Sequence, residues 1–142
     1  MRTDPYLPAH DLPKTDDRGR RLRHGGCVCG RVRFTVAGEP TRVGLCHCRL
    51  CRKFTGSAYL FFADWPRDAF EATGEAATYD GRSFCPTCGS RLFHLSEAEA
   101  EIEVGALDEV PSGLVPDVEC WTARREDWLS PLPSVRQATE DP

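Results

Sequence analysis

The sequence predicts an all-β domain of short strands with few helical turns. Three observations carry the prediction: period-two alternation of apolar residues, turn signals at short intervals, and no long stretch with helical periodicity. The clearest alternation is RVRFTV, residues 31–36, which places Val32, Phe34 and Val36 on one face and Arg31, Arg33 and Thr35 on the other. SAYLFFAD, SRLFHL, AEIEVGAL and VECWTA are further short runs rich in β-branched, aromatic or aliphatic residues. Gly38-Glu39-Pro40, Asp80-Gly81 and Pro111-Ser112-Gly113 separate them as turns. One helical turn is expected between Trp65 and Phe70, because Pro66 is tolerated where a helix begins.

A chain of 142 residues with 40% hydrophobic residues can bury one core. Residues 1–22 are proline-rich, charged and aperiodic, so they are expected to form a loosely held arm. The domain then spans residues 23–133, and residues 134–142 are expected to be a flexible tail. A net charge of −4 and a pI near 5.6 argue against a nucleic-acid or anionic-membrane binder. The basic run RGRRLR, residues 18–23, reads as a solvated segment. The first 17 residues carry three prolines where a signal peptide needs an apolar run, and nothing approaches the ~20 apolar residues of a membrane span. A soluble, cytoplasmic protein is expected.

In a reducing compartment, eight cysteines read as metal ligands or catalytic groups rather than disulfides. They fall into groups: Cys27 and Cys29 in GGCVCG, Cys46, Cys48 and Cys51 in CHCRLC, Cys85 and Cys88 in CPTCG, and Cys120 alone. CPTCG reads as a zinc knuckle in which Pro86 sets the turn and Gly89 takes a positive φ. Tetrahedral zinc needs four ligands, so the economical partition joins Cys27, Cys29, Cys85 and Cys88 in one closed structural site. Cys46, Cys48 and Cys51 then remain, and three protein ligands with one open position are the coordination of a catalytic zinc. Other partitions stay open at this point. Cys120 can complete a second closed site, although alone in a strand it reads as a small buried hydrophobe. His47 lies between two cysteines and on an extended segment points away from both. An iron–sulfur cluster uses similar thiolates, but the spacing matches none of the common ferredoxin runs. His24 and His94 read as packing residues or as supports for the ligands.

HGGCVCGRVRF, LCHCRLCRKFTG, FCPTCGSRLF and EVGALDE resemble, in order and spacing, the glutathione-dependent formaldehyde-activating enzyme family, whose zinc domain is shared with centromere protein V. The resemblance runs from about residue 23 to 129 and includes VPDVECWTARREDWL. It implies a β-tent of short antiparallel sheets pinned by zinc at Cys27, Cys29, Cys85 and Cys88. It implies a second zinc at Cys46, Cys48 and Cys51, hence two Zn²⁺ per chain. It further implies a carbon–sulfur lyase resembling an S-(hydroxymethyl)glutathione synthase, with a small thiol such as glutathione and an aldehyde as partners. Where the family commonly carries His, this chain has Glu119, a carboxylate expected among the substrate contacts and repelling to an anionic thiol. Arg49, Arg52 and Lys53 flank the cluster and are expected to hold substrate carboxylates. Thr55 and Ser57 are expected as hydrogen-bond donors at its edge or as turn caps. A non-catalytic zinc-stabilised binding module is the alternative function; a nucleic-acid-binding form of it calls for an extended basic region.

Overall fold

The computed structural model describes residues 12–142. Most of the arm expected over residues 1–22 therefore lies outside the described residues. Within them, Thr15 bridges Arg21 and the Leu22 amide donates to the Lys14 carbonyl.

The expected all-β class is present. Strands β1 (Leu22–Gly26), β2 (Arg33–Ala37) and β5 (Phe70–Thr73) form an antiparallel three-stranded sheet in the order β1-β2-β5. A second sheet holds β3 (Arg42–Cys46), β4 (Leu60–Pro66), β6 (Ala77–Tyr79), β7 (Arg82–Phe84), β8 (Arg91–Leu95), β9 (Glu99–Glu103), β10 (Val118–Cys120) and β11 (Arg136–Gln137). Its order is β11-β10-β3-β4-β9-β8-β7-β6, antiparallel except where β10 runs parallel to both β3 and β11. Where sequence periodicity is absent, after Pro133, the chain still adds β11 to this sheet.

The alternation in RVRFTV becomes the core. Val32, Phe34 and Val36 are buried against Trp65, Leu92, Phe93, Ala100 and Ile102 of the larger sheet. Phe34, Phe70 and Phe93 form an aromatic trio with centroid separations of 4.8–6.1 Å, joining the two sheets with edge-to-face and stacked contacts. The turn expected near Pro66 is a 3₁₀ turn at Arg67–Ala69.

One α-helix, α1 (Arg49–Thr55), follows β3 directly. Its seven residues are too few and too basic to show an apolar period. A thiol replaces the usual hydroxyl or carboxylate cap: Cys48 Sγ accepts from the Cys51 amide at 3.3 Å. The helix closes at Gly56, whose φ of 68° only glycine adopts without strain.

Candidate metal centres

Each cysteine group sits where a strand ends. Cys27 and Cys29 lie in the β1–β2 connection of the smaller sheet, and Cys85 and Cys88 in the β7–β8 connection of the larger one. Their four Sγ atoms fall within 4.8 Å of one another. Cys27 and Cys29 are 3.5 Å apart and Cys29 and Cys85 3.7 Å. A tetrahedron with metal–sulfur bonds of ~2.3 Å has an edge of about 3.8 Å, so these four thiols already stand at the spacing of a tetrahedral zinc.

Backbone amides point at these sulfurs. Cys27 Sγ accepts from the Val32 amide at 3.2 Å. The backbone amides of Arg31 near Cys29, of Thr87 and Cys88 near Cys85, and of Ser90 and Cys29 near Cys88 each favour the thiolate form. The Ser90 hydroxyl, then the two amides, hold the Cys88 thiol down at about 5, favouring the thiolate a metal needs. Gly89 has the positive φ, 78°, on which this turn depends.

The second cluster forms where β3 meets α1. Cys46 ends the strand, Cys48 caps the helix and Cys51 faces inward from its first turn, bringing the three Sγ atoms within 4.8 Å of one another. The Cys51 thiol and the Cys48 amide hold Cys46 down at about 6, while hydrogen bonding to Cys46 and burial push Cys51 up. Cys120 is buried beside the cluster in the adjacent strand, paired in register with Cys46, but its sulfur is outside this set of three. Burial and the neighbouring Cys46 raise it to about 11. Both clusters can thus hold a metal ion, one with four protein donors and one with three.

The three-cysteine cluster opens on a cavity of about 510 Å³. Leu60 and Phe62 line it from β4, and Phe62 lies so close over Gly44 that a Cβ there would stand 2.6 Å from its ring. Arg42, Arg82, His94 and Glu101 line it from the sheet, Arg49 from α1, and Trp121 and Arg124 from the segment after β10. A neighbouring cavity of about 420 Å³ is lined by Arg49, Arg52, Lys53, Ser57 and Arg124. The flanking cations named from the sequence therefore converge, joined by Arg124. Arg52 also binds Glu126 and the Arg124 carbonyl. Thr55 caps α1, its hydroxyl donating to the Cys51 carbonyl at 2.8 Å.

Glu119 is corrected from its expected place among the substrate contacts. It is 2% exposed, beneath the cluster, and its carboxylate accepts from His47 Nε2 at 2.9 Å, the Leu132 amide at 2.9 Å and Gln137 Nε2 at 2.8 Å. Arg125 adds an ion pair at 3.3 Å. Burial alone would raise this carboxyl, but the hydrogen bonds and Arg125 hold it at about 2. It lines neither the larger cavity nor its neighbour. His47, 1% exposed, turns toward Glu119. His24 packs through Thr35 and the Pro13 carbonyl. His94, read only as a supporting residue, faces the cavity.

Within the basic run at residues 18–23, Arg20 pairs with Asp16, Arg21 with Glu109 and Arg23 with Glu39. No helix among the described residues is long and apolar enough to cross a membrane.

Among solved structures, the fold is similar to that of a Rhodobacter sphaeroides protein, at 22% identity over 66% of this chain and 91% of that chain, with a TM-score of 0.47. The sequence model described as glutathione-dependent formaldehyde-activating enzyme matches residues 22–124. That span runs from the first residue of β1 to the last of the 3₁₀ turn at Thr122–Arg124 and contains both cysteine clusters and Cys120. The chain belongs to the glutathione-dependent formaldehyde-activating enzyme family.

Proposed function

We propose that this protein is a zinc-dependent enzyme of the carbon–sulfur lyase type, which reversibly adds a small anionic thiol to an aldehyde to give an S-hydroxymethyl-type adduct. The observation that carries this reading is the three-thiol cluster, with no fourth donor in its set among the described residues, open to a cavity large enough for a small molecule. Cys46, Cys48 and Cys51 would hold the ion, and an ion bound there with a place free favours the thiolate of a bound thiol and polarises a carbonyl. The four-cysteine site is read as structural zinc.

The remaining work falls to side chains. A thiol of pKa ~8.5 is about 3% ionised at pH 7, so ionisation gains at most ~30-fold. A Brønsted slope of ~0.4–0.5 takes back most of that gain when the pKa is lowered by about three units. Holding the two reactants together is therefore the larger contribution. Arg49 and Arg124 reach both cavities, and no carboxylate among the described residues pairs with them or with Lys53. They supply a basic shelf beside the thiols for the carboxylates of a thiol such as glutathione, Arg by a bidentate fork.

Exchange NMR with labelled formaldehyde and a panel of thiols tests the proposal. The zinc-loaded protein should speed adduct exchange above the buffer rate, most for thiols bearing carboxylates. Arg49→Ala combined with Arg124→Ala should weaken thiol binding by roughly tenfold or more, the equivalent of one charge-assisted bond. No thiol-dependent rate across the panel would end the enzyme reading and favour a zinc-stabilised binding module.

A further inference from the structure

The register of the larger sheet builds a feature that no single strand shows. Arg42 pairs with Asp64, Asp64 with Glu101, Glu101 with His94, and His94 with Arg82. Five ionisable side chains thus form one unbroken row across β3, β4, β9, β8 and β7. Directly opposed residues in antiparallel strands share a face, with Cβ atoms roughly 4.5–5.5 Å apart. Four of the five line the cavity onto which Cys46, Cys48 and Cys51 open, and Asp64 lies below at 2% exposure. We infer that Glu101 is the acid–base group of this site, taking the thiol's proton and delivering it to the aldehyde oxygen, with His94 as its positioning neighbour. This role rests on the thiol–aldehyde reading given above.

The other members of the row are already committed. Arg42 Nε donates to Asp64 at 3.1 Å, so the deeper carboxyl already has a cationic partner, although burial still pushes its pKa up against the pull of Arg42. Arg82 donates to the Asp80 carbonyl and carboxylate at 3.0 and 3.4 Å. Among the described residues no hydrogen bond or ion pair engages the Glu101 carboxyl, which leaves it free to exchange a proton with a ligand. The charged groups that act on its proton affinity are Asp64 on β4, Arg42 and Cys46 on β3 and Arg82 on β7, while His94, Cys51, Arg49, Arg124 and Asp141 line the same cavity. Burial, then Asp64 and Cys46, push it up to about 7 against the pull of Arg82 and Arg42. Burial and Arg82 lower His94 against Asp80, so a neutral imidazole stands between Arg82 and Glu101 at neutral pH. A carboxyl poised near the working pH serves as both base and acid.

The step balances with one proton. The thiol S–H gives its proton to the Glu101 carboxylate, and the sulfur lone pair forms the carbon–sulfur bond. The carbonyl π pair moves to oxygen, which then takes that proton from Glu101. The carboxylate is restored, and the reverse reaction retraces the same transfers.

Glu101→Gln keeps the shape and removes the transfer, so it is the deciding variant. In exchange NMR with labelled formaldehyde and glutathione, it should lower the protein-catalysed rate by ~10²-fold and abolish the solvent deuterium isotope effect. Glutathione affinity by calorimetry should stay within about twofold, and Glu101→Asp should recover part of the rate. Independently of turnover, ¹³C NMR of the thiol-free protein should show a glutamate carboxyl titrating near neutral pH that disappears in Glu101→Gln. A Glu101→Gln protein with the wild-type rate overturns the role while leaving the enzyme reading intact, as does a rate loss matched by lost thiol affinity. A wild-type protein with no thiol-dependent acceleration overturns both.

Discussion

Four groups converge on the buried carboxylate of Glu119, and their loss should be felt throughout the layer beneath the cysteines. Through His47, which sits between two of the clustered cysteines, Glu119 fixes the backbone from which Cys46 and Cys48 project. Glu119→Gln puts an amide donor where donors already point, and it should destabilise the fold by about 3 kcal/mol at pH 7 in urea unfolding. The folded carboxyl is at about 2 against an ordinary 4.5, so its stabilisation is present above pH 4.5 and is lost as pH falls toward 2. The gap between variant and wild type should narrow over that window. Glu101 carries the opposite sign. Raised to about 7 from 4.5, it favours the fold while protonated and loses that contribution as pH rises from 4.5 through 7. Glu101→Gln should therefore gain stability over wild type across that window, reaching roughly 1–3 kcal/mol at pH 8. An unchanged difference between pH 5 and pH 8 would contradict the burial of that carboxyl.

Among the elements, α1 and the β7–β8 connection divide the labour of the cysteines. Cys48 is both the cap of α1 and one of the three clustered thiols, so Cys48→Ala removes a helix cap and a candidate ligand together. A cap loss costs about 1 kcal/mol, which a two-sheet core tolerates. Cys48→Ala should keep the native far-UV circular dichroism while losing exchange activity and the metal of that cluster. Cys85, fully buried where the two sheets meet, belongs to the four-cysteine set. Cys85→Ala should unfold or aggregate the protein, because a metal held by these four thiols would contribute folding free energy of order 10 kcal/mol. Equal loss of folding in both variants would make both metal sites structural.

Over the whole molecule, the Phe34–Phe70–Phe93 trio packs the small sheet against the large one, and the four-cysteine set draws its sulfurs from both. Metal removal should accordingly proceed in two stages. A chromogenic chelator should first withdraw the ion of the three-cysteine cluster, abolishing activity without changing far-UV circular dichroism. The second ion should leave more slowly, and the tertiary structure should collapse with it. One phase, with structure lost in step with the first ion, would contradict this division.

What the sequence by itself determined is local. Cysteine spacing in CVC, CHCRLC and CPTC is set by covalent chain geometry, so the clusters were legible as candidate metal sites before any fold was known. RVRFTV was legible as a buried strand because side chains alternate every residue in extended backbone. Helix α1 was not, since its cap is a thiol and its seven residues carry no apolar stripe. What only the tertiary structure decided is nonlocal. Strand register, fixed by packing between the sheets, set Arg42, Asp64, Glu101, His94 and Arg82 in one row, although they are scattered between residues 42 and 101 and follow a different order in the chain. The parallel entry of β10 beside β3 buried Glu119 under His47, turning an expected substrate contact into a support. Neither placement can be read from neighbours in the chain, because a slip of one residue in either pairing reverses which face each side chain occupies.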